Sequence, residues 1–121
     1  MPFQRFLPSL TFALGFLAAG AACAHARLEA AEPRPASALD HAPTEVRLSF
    51  NETLEPAFSQ IALTDAADKP VALARAKVDP ATPSVLTAPL PALPAGQYHV
   101  RWSAMTRDGH KTKGEFTFSV K

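Results

Sequence analysis

Short segments of alternating hydrophobic and polar residues run along most of the chain, separated by prolines and turn residues. Glu45–Phe50 has a hydrophobic residue at every second position, and Gln97–Met105 and Lys113–Lys121 repeat the pattern. A period of two is that of a β-strand with one buried face. Further short strands are predicted at Arg27–Ala31, Ala57–Thr64, Val71–Ala74 and Ser84–Thr87, with residues 36–43 as a turn-rich connection.

The alternation also predicts which side chains form the core. The inward positions are Val46, Leu48, Phe50, Ile61, Leu63, Tyr98, Val100, Trp102, Ala104, Phe116, Phe118 and Val120. No stretch has the 3.6-residue period of an amphipathic helix. About seven short strands without a helix indicate an all-β fold, a Greek-key β-sandwich or barrel.

The first 24 residues follow a different pattern. Arg5 precedes an apolar run, Phe6–Ala21, and Ala22-Cys23-Ala24 offers the small residues at which a signal peptidase cleaves. We therefore predict a signal peptide at residues 1–24 and one domain at residues 25–121. A permanent membrane span is less favoured, because the run is short for a bilayer core of ~30 Å. The processed chain is then exported without a membrane-spanning segment, to the periplasm in a Gram-negative cell.

Two other processing routes remain open at this point. Ala24-His25-Ala26 also resembles a cleavage site, and its use would leave Arg27 as the first residue. Cys23 could be lipidated, although the Leu that usually opens a lipobox is absent. Only cleavage after Ala24 makes His25 the N-terminal residue.

The composition of the processed chain excludes some functions. It would contain no cysteine and equal numbers of basic and acidic residues. A nucleic-acid-binding domain would have a basic face, so the balanced charge argues against that class. A small exported domain without a disulfide depends on its hydrophobic core, or on a bound ion, for stability.

Asp108 and His110 lie two residues apart between the last two predicted strands. Side chains two positions apart on extended backbone point to the same side, here at one end of the sandwich, where functional loops cluster. A plain hairpin turn with an exposed imidazole is the alternative, because Asp-Gly is a turn signal. His41, in a loop, and His99, facing outward on a strand, are predicted to be surface residues.

An N-terminal His25 would offer an α-amine and an imidazole that together chelate one metal. With Asp108 and His110 the ligand set becomes three nitrogens and one oxygen, which in tetragonal geometry suits Cu(II). Zinc could accept similar ligands tetrahedrally. The absence of thiolates argues against structural zinc and against a blue-copper site.

In order along the chain, several motifs resemble those of the CopC-like periplasmic copper-binding (copper-resistance) proteins. They are His25-x-Arg27-Leu28, Glu32-Pro33, Leu48-Ser49-Phe50-Asn51-Glu52-x-Leu54-Glu55, Phe58-Ser59, Leu93-x-x-Gly96-x-Tyr98-x-Val100-x-Trp102 and Asp108-Gly109-His110-x-x-x-Gly114-x-Phe116-x-Phe118. The resemblance covers essentially all of residues 25–121. It implies a seven-stranded Greek-key fold, Ig-like or cupredoxin-like, and a copper-binding protein that is not an enzyme.

The resemblance also implies a ligand set and a partner. One Cu(II) ion would be bound by His25, Asp108 and His110, with Glu52 as a weak ligand or a second-shell group. Copper would be sequestered or delivered to a CopD-like inner-membrane protein. A methionine-rich Cu(I) site of some members is not expected, since Met105 alone remains after processing, and Arg27 stands where some relatives have another His.

Two other functions stay open from the sequence. A copper oxidase of the polysaccharide monooxygenase kind also binds copper through an N-terminal His, but it needs a broad substrate surface, and Asp108 would occupy a position that oxygen needs. A metal-free structural sandwich is the third possibility.

Overall fold

The structure, a computed structural model, describes residues 26–121. Its regular elements are two β-sheets and one short 3-10 turn. In chain order the strands are β1 (Leu28–Glu32), β2 (Ser37–Leu39), β3 (Glu45–Phe50), β4 (Gln60–Asp65), β5 (Pro70–Val71), β6 (Lys77–Val78), β7 (Val85–Pro89), β8 (Gly96–Met105) and β9 (Lys111–Val120), and the 3-10 turn is Pro56–Phe58. One sheet has the order β1-β3-β7-β6 and the other β2-β9-β8-β4-β5. The all-β prediction is confirmed.

The long strands match the sequence pattern closely, whereas two short ones, β2 and β6, do not follow from it. β3 has the predicted bounds, and β8 and β9 begin within two residues of theirs. Residues 36–43 are not only a connection, because β2 pairs in parallel with β9, from Ser37 opposite Phe118 to Leu39 opposite Val120. β6 pairs with β7 and was also not predicted. Strands of two or three residues are defined by a longer neighbour rather than by their own alternation, so residues 26–121 contain nine strands instead of about seven.

The core lies between the two sheets and contains most of the predicted inward residues. Its buried members are Ala26, Val46, Leu48, Phe50, Leu54, Leu63, Ala76, Leu86, Ala88, Leu93, Tyr98, Val100, Trp102, Ala104, Phe118 and Val120. Ile61 and Phe116 are partly buried against this cluster. The rings of Phe50 and Trp102 pack edge to face with their centroids 5.1 Å apart. This contact joins β3 of one sheet to β8 of the other.

The hairpin of β8 and β9 is the longest element pair and determines where the candidate site lies. Its register runs from Gly96 opposite Val120 to Met105 opposite Lys111. The turn that closes it is residues 106–110, at the end away from Gly96. Among the described residues no helix is long and apolar enough to cross a membrane.

Gly114 leaves the space that the Trp102 indole occupies. The two residues are directly opposite each other in the hairpin, and a Cβ on Gly114 would lie 2.5 Å from Cζ2 of Trp102. Real Cβ atoms do not approach a ring carbon this closely, so a larger residue here must displace the indole.

We expect Gly114→Ala to lower the free energy of unfolding by about 1–3 kcal/mol, because it overpacks the core. Urea unfolding, followed by the fluorescence of the single tryptophan, measures this. The neighbouring exposed Lys113→Ala is the control and should change stability by less than about 0.5 kcal/mol. Equal stability of Gly114→Ala and the unchanged protein would contradict the close packing.

Candidate metal site

Backbone hydrogen bonds fix the turn that carries Asp108 and His110. The Gly109 N–H donates to the Thr106 carbonyl at 3.0 Å, and the Thr106 N–H donates to the His110 carbonyl at 2.9 Å. Gly109 has a φ of 89°, in a region that glycine adopts without strain. The Asp-Gly turn signal in the sequence is therefore real, and it also brings the two side chains together.

Asp108 and His110 are in direct contact in this turn. Oδ2 of Asp108 and Nδ1 of His110 are 2.9 Å apart, and both side chains are about half exposed. Two ligand atoms each ~2.0 Å from a metal and at right angles to each other are about 2.8 Å apart. The observed separation is that of an ordinary hydrogen bond. It would also allow both atoms to bind one ion as neighbouring ligands.

Thr106 holds the Asp108 carboxylate in place. Its side chain is buried, 2% exposed, and its hydroxyl donates a hydrogen bond to Oδ1 of Asp108. The Thr106 hydroxyl first, and the His110 imidazole second, hold the pKa of Asp108 below its ordinary value. The carboxylate is thus kept ionised, as a metal ligand must be. The sequence prediction did not include Thr106, although it lies only two residues before Asp108.

The start of the described chain is attached to the residues that follow β3. The Arg27 N–H donates to Oδ1 of Asn51 at 2.6 Å, and the Asn51 N–H donates to the Arg27 carbonyl at 3.1 Å. Ala26 is buried at 3% exposure. Three residues beyond Asn51, Leu54 forms an isolated β-bridge with Thr106. A short stretch of chain therefore connects the anchored start to the base of the Asp108–His110 turn.

The described residues bring together two of the predicted ligands. Within residues 26–121 no three His, Cys, Asp or Glu side chains are close enough to bind one metal ion. Glu52 lies between Asn51 and Leu54, is partly buried and has no ion pair with another described residue. His25 lies outside the described residues. Its role and that of Glu52 stay predictions.

The other two histidines of the described chain lie away from the turn. His41 is exposed. His99, near the other end of β8, contacts Oε2 of Glu115 through Nε2 at 3.2 Å, and Arg101 shares that oxygen at 3.3 Å. Both belong to the surface, as the alternation predicts.

The described residues thus form a two-sheet β-sandwich with a half-exposed carboxylate and imidazole side by side at one end. The family model described as "CopC domain" matches residues 28–121. The chain therefore belongs to the CopC family.

Individual relatives agree with this assignment. "Copper resistance protein C" of Escherichia coli is 39% identical over 93% of this chain and 94% of its own. Protein YobA of Escherichia coli K12 is 35% identical over 93% of this chain and 95% of its own. The crystal structure of CopC from Methylosinus trichosporium OB3b superposes with a TM-score of 0.76 at 33% identity, covering 80% of this chain and 94% of that one. The predicted family is therefore confirmed. Proteins of the CopC family bind copper and are not enzymes, which agrees with the predicted metal as far as the element.

Thr106→Val should raise the pKa of Asp108, because the carboxylate loses the hydroxyl donor that stabilises its charged form. The wild-type pKa is depressed by folding, so the stability from this carboxylate is present above the unfolded pKa and is lost as the pH falls through the folded pKa. In Thr106→Val that loss moves to higher pH. Carboxyl ¹³C NMR of the copper-free protein measures the titration.

Thr106→Ser is the matched control because it keeps the hydroxyl, and its Asp108 should titrate like that of the wild type. If the valine and serine variants titrate alike, the hydroxyl is not what holds the carboxylate ionised.

Proposed function

We propose that this protein, exported to the periplasm and cleaved after Ala24, binds one Cu(II) ion through His25, Asp108 and His110. The amine and imidazole of His25 chelate the ion, and the turn adds a carboxylate oxygen and an imidazole nitrogen. Copper resistance proteins of the family are periplasmic in general, which agrees with residues 1–24 being a signal peptide. The role is sequestration of copper or its delivery to a membrane protein.

The observation that carries the proposal is the contact between Asp108 Oδ2 and His110 Nδ1 at 2.9 Å. A solvated hairpin turn does not require this pairing, nor a buried Thr106 hydroxyl that orients the carboxylate. Nitrogen and oxygen donors in tetragonal arrangement favour Cu(II), which has the highest affinity of the common divalent ions.

The path of the chain supports His25 as the source of the remaining two nitrogens. Arg27 is anchored to Asn51, and two residues of extended chain reach about 7 Å at most. Leu54 in turn pairs with Thr106 at the base of the turn. An N-terminal residue two positions before Arg27 would therefore be tied to the same segment that pairs with the base of the turn.

In this proposal Glu52 assists the three main ligands. A separate protein receives the copper. Glu52 would act as a weak ligand or as an acceptor for the N-terminal amine, since outer-shell carboxylates commonly orient metal ligands. Delivery of copper would require a CopD-like inner-membrane partner. A half-exposed pair of ligands is suited to such a transfer, because another protein's ligands can reach the ion.

Titration of the processed protein with Cu(II) should give a one-to-one complex with a tetragonal EPR signal. His110→Ala should weaken binding by more than about 100-fold, since even outer-shell changes cost 10–100-fold in metal affinity. His99→Ala is the matched control and should bind copper as the wild type does. No tight binding by processed wild-type protein, or equal binding by both variants, would refute the proposed site.

An extension of several residues placed before His25 should also weaken Cu(II) binding, because it converts the His25 amine into a backbone amide and moves the new N-terminal amine away from the imidazole. The extended protein should have unchanged thermal stability without copper and an EPR signal with fewer nitrogen couplings. Mass spectrometry of the exported protein determines whether His25 is the natural N-terminus. Unchanged affinity in the extended protein would contradict the role of the amine.

A further inference from the structure

We infer that Asn51 is a positioning residue, which holds the start of the processed chain at the copper site. This inference rests on the proposed function, and it adds a residue that is not itself one of the proposed ligands. Asn51 would determine the affinity for Cu(II) by limiting where the N-terminal ligand can lie.

Asn51 contacts both polar groups of the Arg27 backbone. Its side-chain oxygen accepts the Arg27 N–H at 2.6 Å, and its own N–H donates to the Arg27 carbonyl at 3.1 Å. The side chain therefore makes one of the two bonds. Truncation at residue 51 would remove that bond and leave the other in place.

These bonds lie beyond the regular pairing of β1 with β3. The register between the two strands ends with Leu28 opposite Phe50, next to an irregularity between Leu28 and Ala30. Antiparallel ladders continue through backbone groups alone, whereas at Arg27 a side chain takes the place of a backbone acceptor. Continuation of the chain toward the site thus depends on the identity of residue 51.

Ala26, the residue before Arg27, is also held in place, in its case by burial. Ala26 is 3% exposed and belongs to the core cluster with Phe50 and Leu54. Arg27, by contrast, is exposed, so packing does not fix its backbone. Its two bonds to Asn51 supply the constraint that burial does not.

The position of Asn51 along the chain links this anchor to the Asp108–His110 turn. Three residues later Leu54 pairs with Thr106, and the Glu55 N–H donates to the Met105 carbonyl at 2.7 Å. One short segment therefore fixes both the start of the chain and the base of the turn. Ligands from two distant parts of the sequence would be preorganised with respect to each other before copper arrives.

A purely structural role predicts a different result, namely lower stability with unchanged copper binding. Asp65 provides the matched control, because its Oδ1 accepts two backbone N–H bonds, from Ala67 and Lys69, both at 2.9 Å. Asp65 pairs with Tyr98, near the end of β8 that is away from the turn. Asp65→Ala removes bonds of the same kind at the other end of the hairpin.

The experiment measures Cu(II) affinity, EPR spectra and hydrogen exchange for Asn51→Ala, Asn51→Asp and Asp65→Ala, all correctly processed. Asn51→Ala should bind Cu(II) about tenfold or more weakly, in the range of other outer-shell changes. Without copper, its Arg27 amide should exchange faster than in the wild type. Asn51→Asp keeps an acceptor oxygen and should retain both amide protection and affinity.

Asp65→Ala should lose stability while binding Cu(II) with wild-type affinity and an unchanged EPR spectrum. If Asn51→Ala binds copper as tightly as the wild type while His110→Ala does not, the inference is overturned and the proposed function stands. Equal loss of affinity in Asn51→Ala and Asp65→Ala would also overturn it, because general destabilisation would then explain both. Failure of the wild type to bind copper refutes the proposed function instead.

Discussion

The crossing of the chain from one sheet to the other, at residues 51–55, is the constraint on which the rest of the site depends. β3 ends at Phe50 in the four-stranded sheet, and β4 begins at Gln60 in the five-stranded sheet. Between them Asn51 binds the backbone of Arg27, and Leu54, 1% exposed, pairs with Thr106. A connection held at both ends brings the start of the chain and the β8–β9 turn to the same end of the sandwich.

The turn itself shows how a common local structure can bring a carboxylate and an imidazole together. An Asp-Gly turn needs only an αL-compatible glycine and two backbone hydrogen bonds, both of which are present. The buried Thr106 hydroxyl adds a third constraint, which orients Asp108 and lowers its pKa. The carboxylate then lies 2.9 Å from the His110 imidazole. Each constraint comes from a residue within four positions, so the arrangement is local.

The sequence predicted the strands that carry their own signal and missed those that depend on a partner. Val46, Leu48 and Phe50 alternate with polar residues, and β3 was placed at its observed bounds for that reason. The three residues of β2 have no such pattern and become a strand only by pairing with the end of β9. Alternation describes which face a residue belongs to, whereas short edge strands arise from backbone groups that a longer neighbour leaves unpaired.

The candidate site was predictable to the same partial extent. Asp108 and His110 could be paired from their spacing, because two residues along the same turn are close in any compact conformation. The contacts of Thr106 and Asn51 could not be derived in this way. A side-chain hydroxyl or amide can form a hydrogen bond with many partners, and the fold determines which partner is near. Only tertiary contacts reveal that Asn51 binds Arg27, 24 residues away.

The hydrophobic core lies apart from the proposed metal site in this protein. The aromatic and aliphatic residues that join the two sheets, among them Phe50, Trp102 and Phe118, are buried without any contribution from Asp108 or His110, which are about half exposed. A structural metal would be enclosed and its binding energy would appear as folding energy. The proposed ligands lie outside the hydrophobic core, so copper bound there could enter and leave while the sandwich stays folded. Such a separation would suit the proposed role of taking up copper and passing it on.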